Sequence, residues 1–461
     1  LILGYKADLD SEVQQAYAKT GNIHVLSVSG AHVAIMFVLI GWATVFLRRY
    51  RYGRVLAAFI SIALIAYYAL LTGLSPAVCR AAVMISMGIA GKTWNRNVSM
   101  MNILAASAMA LLLFNPLLLA DVGFQLSYLA VAGLLVFQPV IYSWITTDNR
   151  LLNKLWIFCS ACLAAQAVTF PLCAYYFHQF PVYFLVSNLF IILPVELIMY
   201  AGLALLLLAR PGLIFMVKPV AWLLQNAILF MDRVLQAIEH YPYASIAKIW
   251  IGPAECVLLF LLVVLAFCMF YYKNKRYLQA ALLCLLALSI SISIKKISSI
   301  NAHTITFLNV KKHTGIIFRQ GDRAIVLTDL ADTDKTYRYS IQPGLDSNGI
   351  EHYVNWPLDK DIATKSFTKD GVTIQFMNSY LLMPMQNGLL STDHKASRYL
   401  YINNNTSSVL QAASRTPACD TLIAGAGLNA RSVNLLQARA AVLKRKIIIL
   451  KRNKALIIKS E

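Results

Sequence analysis

Acidic side chains are scarce in this chain. Only 21 Asp and Glu are spread over 461 residues, and all charged residues together make up 13% against 59% hydrophobic. That balance excludes an ordinary soluble globular protein and points to one that lives in a bilayer. The eight cysteines offer no disulfide framework. Seven of them (Cys79, Cys159, Cys162, Cys173, Cys256, Cys268 and Cys284) fall inside apolar stretches, and only Cys419 lies elsewhere. Cys159 and Cys162 share a helix face with apolar neighbours and no further ligands, so packing accounts for them better than redox or metal chemistry. Gly91-Lys92-Thr93 imitates the end of a phosphate-binding loop, but Ser86 stands where the earlier glycine is required and an apolar helix precedes it in place of a strand. No signal-peptide pattern precedes the first apolar stretch and the first residue is Leu1, so the sequence is expected to be a piece of a longer protein.

What the chain has in quantity is long apolar runs. Hydropathy predicts spans near residues 25–47, 55–71, 77–91, 103–119, 122–145, 156–177, 183–209, 217–240, 254–272 and 278–294. Most approach the roughly 20 residues that cross a bilayer. If residues 1–24 lie outside, the loops that fall inside carry +12 whereas residues 1–24 carry −1. The positive-inside rule selects that orientation, and ten crossings return the tail to the outside. The expected fold class is an α-helical polytopic membrane protein of about ten transmembrane helices with a small C-terminal soluble β-rich α+β domain. Its expected divisions are a lead-in at 1–24, a transmembrane domain at 25–294 and an extracytoplasmic domain at 295–461. The span 217–240 is ambiguous, because Gln225, Asp232, Gln236 and Glu239 form a polar stripe that suits either a water-filled path or an interfacial helix. A re-entrant hairpin at 183–209, broken at Pro194, would keep the charge rule satisfied if 217–240 did not cross.

Polar residues inside apolar spans are functional candidates by default. His24, Ser29, Gly30 and His32 open the first span. Arg80 lies about a turn into the third span and Asp121 begins the fifth, which puts both near the depth of His24. An Arg80–Asp121 ion pair in a shared polar vestibule competes with the plainer reading of separate snorkelling residues. Gln125 and Tyr128 continue one helix side below Asp121, a column that either glues helices together or lines a path. Gln166 and Asn188 sit within later spans. Pro194 frees helix carbonyls near Glu196, a carboxyl that is either buried or lumen-facing.

Taken together these segments resemble the membrane channel domain of ComEC-type competence proteins. The resemblance rests on His24 to Val33, Ser75-Pro76 to Arg80 and Met84, Asn115-Pro116-Leu117 followed by Asp121-Val122-Gly123-Phe124-Gln125-Leu126-Ser127, Gln166 to Pro171, and Asn188-Leu189 to Pro194. It covers roughly residues 1–290. It implies a bacterial inner-membrane channel, without enzymatic activity, that passes single-stranded transforming DNA. Implied partners are the DNA strand, the lipid bilayer, an extracytoplasmic DNA receptor, a cytosolic ATPase motor and further copies of the chain. The channel and DNA-path candidates are His24, Ser29, Gly30, His32, Arg80, Asp121, Gln125, Ser127, Gln166, Asn188 and Glu196. No cofactor or metal is expected. The alternatives are a permease for a small or lipid-linked substrate, with Asp121, Glu196 and Asp232 as a proton relay, and an interaction platform.

Residues 301–461 carry a net charge of +9 and read as a small α+β domain. Strands are predicted at 304–310, 315–318, 324–327, 372–376 and 399–402, with 446–450 and 455–458 as a closing pair and a helix at 430–441. The position implies a metallo-β-lactamase-like domain, and 306–330 is similar to that domain's opening strands. The His-x-His-x-Asp-His cluster that a binuclear site needs is missing. His303, His313, His352 and His394 stand singly. The domain is accordingly read as a degenerate, non-catalytic remnant.

Overall fold

In the computed structural model, residues 11–95, 98–208, 214–350, 352–384, 398–405, 419–452 and 455–459 are described. The chain divides into two compact units, Leu1–Leu288 and Ser289–Glu461.

The first unit is helical: α1 (Ser11–Lys19), α2 (Gly30–Ala43), α3 (Gly53–Leu71), α4 (Pro76–Thr93), α5 (Met100–Phe114), α6 (Val122–Val136), α7 (Gln138–Tyr142), α8 (Arg150–Phe177), α9 (Phe184–Leu208), α10 (Ile214–His240), α11 (Pro253–Tyr272) and α12 (Lys275–Ile300). Local chemistry sets several of their starts. Pro76 and Pro253 occupy first positions, where a missing N–H costs nothing. Asn149 caps α8 by accepting from the Leu151 and Leu152 amides. Nine of the ten expected stretches hold one of these helices each, and the stretch 122–145 holds two. Among the described residues five are long and apolar enough to cross a bilayer, namely α3, α8, α9, α11 and α12, while α2, α5 and α6 are apolar but shorter. Helix length therefore does not carry the count of ten crossings.

Two expectations change here. The stretch 122–145 is divided between α6 and α7, with Pro139 in the first turn of α7. The stretch 183–209 is one helix straight through Pro194, with no hairpin in it. The polar stripe of α10 also has a concrete use: the Tyr17 hydroxyl donates to Asp232 at 2.8 Å and Lys19 pairs with Glu239 at 2.8 Å. These contacts dock α1 on α10, beside an apolar cluster that includes Tyr17, Leu26, Ile191, Met231 and Leu235. A second cluster joins α2, α3 and α4 through Val33, Ile40, Ile65, Tyr68, Val78 and Ala81. α6 and α8 approach closely at Gly133, where a Cβ would lie 2.9 Å from the Ala164 carbonyl oxygen. Two short strands, β1 (Gln179–Pro181) and β2 (Ser245–Ala247), pair antiparallel after α8 and α10.

The second unit is a helix–sheet–sheet–helix sandwich. One sheet has the order β14–β3–β4–β5–β6, from Ala455–Lys459, His303–Leu308, Gly315–Gln320, Arg323–Thr328 and His352–Trp356. The other runs β13–β12–β11–β10–β9–β8–β7, from Lys446–Ile449, Thr421–Ala424, Tyr399–Ile402, Ser379–Leu382, Thr373–Phe376, Phe367–Asp370 and Ile362–Ala363. Ile305, Phe307, Phe318 and Leu327 from the first meet Phe367, Phe376, Tyr401 and Ile423 from the second to form the core. α13 (Lys335–Ser340) and α14 (Gln342–Ser347) cover the outer face of the first sheet through Tyr337, Ile341 and Leu345. α15 (Ala430–Val442) covers the second through Val433 and Leu436. The predicted closing pair is corrected: β13 adds in parallel to β12, whereas β14 adds antiparallel to β3 in the other sheet.

The Lys369 side chain is 2% exposed and is held by Asp361 at 3.2 Å and the Lys360 carbonyl at 3.1 Å. The Gly371 amide and then Lys369 hold the Asp361 carboxyl below its ordinary range. A depressed carboxylate stabilises the fold above its unfolded pKa, and that contribution is lost as pH falls through the folded value. Asp361→Asn is therefore expected to melt below the unsubstituted chain at pH 6. The two melting temperatures should draw together as pH falls through the lowered value of Asp361, and a gap independent of pH would refute the assignment.

Candidate functional site

The candidate site forms where α2, α4 and α6 meet. Ser29 is extended, and the chain turns into α2 at Gly30. His32 folds back so that its Nδ1 accepts from the Ser29 amide at 3.2 Å and lies 2.8 Å from Ser29 Oγ. That bond assigns the ring proton of a neutral imidazole to Nε2, which is buried and has no partner among the described residues.

Arg80 projects from the second turn of α4 and is 7% exposed. Its Nη1 donates to the Ser127 carbonyl on α6, and its guanidinium lies 5.9 Å from the centre of the Tyr128 ring. The Tyr128 hydroxyl in turn shares a 3.0 Å hydrogen bond with Ser107 on α5. On the other side Nη2 comes so close to α2 that a Cβ on Gly30 would stand 3.0 Å from it. Gly30 thus makes room for a side chain, not for the backbone approach usual between membrane helices. Arg80 Nε is buried without a partner.

The structure joins Gly30, Arg80 and Ser127, and sets Ser29 and His32 on the same turn as Gly30. It does not join Asp121 to Arg80. Asp121 instead caps α6, accepting the Phe124 amide at 2.8 Å. A local cap takes the carboxylate that the sequence offered to the arginine. Gln125 also turns away from a common column, donating to the Leu119 carbonyl at 2.8 Å and leaving its Oε1 buried and unpartnered. His24 is exposed, with Nδ1 3.1 Å from the Gly21 carbonyl. Gln166 is half-buried, Asn188 reaches Cys162 Sγ only at 4.0 Å, and Glu196 is exposed on α9. Sequence reasoning missed Gly133 and Tyr17. The first was signalled by a glycine in the middle of an apolar run, the second by nothing local.

In the second unit the histidines stay apart. His303 begins β3, His352 is exposed on β6, and His313 Nδ1 pairs with Asp329 at 2.7 Å. His394 lies outside the described residues. Among the described residues no three His, Cys, Asp or Glu converge, so the donor set does not fit a binuclear metal site. The loops after β3, β11 and β12 are instead tied by asparagine. Asn403 donates to the His313 carbonyl at 2.9 Å and to Thr314 Oγ1 at 3.0 Å, and accepts the Gly427 amide at 2.8 Å. Cys419 is buried, with Arg445 Nη1 3.2 Å from its sulfur, and burial raises the thiol pKa.

Residues 1–276 match the family model described as competence protein, and residues 305–460 match the ComEC C-terminal domain. The chain belongs to the competence protein family. ComE operon protein 3 of Bacillus subtilis (strain 168) is 34% identical over 194 residues, which is 42% of this chain and 24% of that protein. An uncharacterized protein of Aquifex aeolicus (strain VF5) is 31% identical over 131 residues, 28% of this chain and 30% of that protein. The chain thus spans less than a third of either curated relative. No solved structure matches it. With its family and its apolar helices, this competence protein is a multi-pass membrane protein.

Proposed function

We propose that this competence protein provides the helical path by which one strand of DNA crosses the bacterial inner membrane during uptake, with its C-terminal domain outside the cytoplasm. Family membership supplies the setting, and Arg80 is the observation that carries the reading. It is a buried cation in the helical unit, and among the described residues no carboxylate lies within ion-pair distance of it. A strand with one phosphate charge per nucleotide needs cations along its route. The abundant aromatics of the helical unit suit base stacking. A DNA receptor outside, an ATPase motor inside and self-association belong to the same proposal, as does a non-enzymatic role. The tail's charge of +9 would favour contact with DNA at the outer face.

The permease reading draws less support. Asp232 is engaged by Tyr17, Asp121 caps α6 and Glu196 is exposed, so the three carboxylates are committed separately and form no relay. Deletion of the gene in a naturally competent host tests the proposal. Labelled DNA should still bind the cell surface but no longer reach the cytoplasm, and unchanged entry would overturn the uptake role.

A further inference from the structure

We propose that Arg80 and the first turn of α2 form a binding site for a phosphate-class oxyanion. Two positive features face each other there. α2 is 14 residues long, and its opening amides at Gly30 and Ala31 are among the donors that no helix can satisfy internally. Aligned peptide dipoles place about half a positive charge at that end. Against it stands Arg80, which is more than nine-tenths buried, with Nη2 3.0 Å from where a Cβ on Gly30 would stand and Nε without a partner among the described residues. Among the described residues its one hydrogen bond runs from Nη1 to the Ser127 carbonyl, so the Nε and Nη2 edge finds no acceptor there.

A cation brought to the positive end of a helix, in an apolar surround and without a carboxylate, is electrostatically incomplete. An oxyanion between them satisfies both. The planar fork of arginine and the amides of a helix start both suit phosphate oxygens. The absence of a Cβ at Gly30 lets the guanidinium come this close to the opening amides, since a methyl group there would press on Nη2. His32, one turn along, adds a buried Nε2–H that also lacks an acceptor. The site deepens the uptake proposal, because a DNA phosphodiester is one source of such an anion. An anionic lipid headgroup is the other.

The test uses the purified full chain in nanodiscs, with thermal melting as the readout. One arm adds inorganic phosphate and a second adds a single-stranded oligothymidylate, both in zwitterionic lipid. A third replaces that lipid with phosphatidylglycerol. At least one arm should raise the melting temperature of the unsubstituted chain. Arg80→Gln should weaken the apparent affinity at least tenfold, and Arg80→Lys should keep part of it as a point charge. Gly30→Ala retains every charge and should weaken binding by pressing the guanidinium away from the helix start, so it decides the matter if Arg80→Gln fails to fold. Stabilisation by oligothymidylate beyond that of phosphate assigns the site to DNA, and stabilisation by phosphatidylglycerol alone assigns it to lipid. No response in any arm, or equal responses in Gly30→Ala and the unsubstituted chain, overturns the site. If DNA entry survives gene deletion while Arg80→Gln abolishes anion binding, the uptake reading falls and the site stands.

Discussion

Asn403→Ala is expected to lower the melting temperature of the β-rich unit by roughly 6–12 °C. The Asn403 side chain, in the loop after β11, makes two hydrogen bonds to the loop that leads into β4 in the other sheet and a third to the loop after β12 in its own sheet. Truncation leaves the half-buried His313 carbonyl, the buried Thr314 hydroxyl and the Gly427 amide without their partner. Each orphaned group costs about 1 kcal/mol or more. A total near 3 kcal/mol in a domain of this size converts at roughly 2–4 °C per kcal/mol. Gly425 shows how closely the amide is fitted, because a Cβ at that position would overlap the Asn403 side chain. Calorimetry of the full chain measures the shift, and amide exchange at Gly427 reports the lost acceptor directly. A change of less than 2 °C would mean that Asn403 does not hold the sheets together.

Gly133→Leu is expected to remove most of the folded helical unit. At this crossing a Cβ meets the Ala164 carbonyl at 2.9 Å and Val168 Cγ2 at 3.2 Å, so leucine cannot enter unless α6 and α8 separate. Overpacking of a fitted interface costs about 1–3 kcal/mol, and a rigid carbonyl leaves little room to relax. Gly88 on α4 supplies the contrast, since a Cβ there meets nothing within 4 Å. Gly88→Ala should therefore be neutral or should gain up to about 1 kcal/mol of helix propensity. The monodisperse fraction after detergent extraction reads both. Equal yields from Gly133→Leu and Gly88→Ala would refute the close crossing.

Helix positions were legible because hydropathy and breakers act locally. Pro76, Pro253 and Asn149 mark helix starts, and all ten apolar stretches turned helical, 122–145 as two helices. Strands β3, β4, β5, β9, β11, β13 and β14 were legible for the same reason, whereas β6, β7, β8, β10 and β12 were not anticipated. Pairing was not legible. Residues 446–450 and 455–458 looked like partners because they are neighbours in sequence, yet each found an edge in a different sheet. No local signal encodes which edge is open. The candidate site divides along the same line. Arg80 and Gly30 stood out by residue type and depth, but Asp121 was assigned to the wrong partner. A capping bond to an amide three residues on is available as soon as α6 forms, whereas an ion pair with α4 must await tertiary packing. The contact between Gly30 and the Arg80 guanidinium depends on how α2 crosses α4, which no spacing in the sequence reveals.

Strand β14 also sets a clock for biosynthesis. Ile458 pairs with Ile305, so the first strand of the domain lacks one neighbour until about 150 further residues exist. At typical elongation rates of 5–20 residues per second that delay is roughly 8–30 s. During it the edge of β3 is open to pairing with other nascent or misfolded chains. Completion of the five-stranded sheet thus comes only after every helix of the first unit has been synthesised.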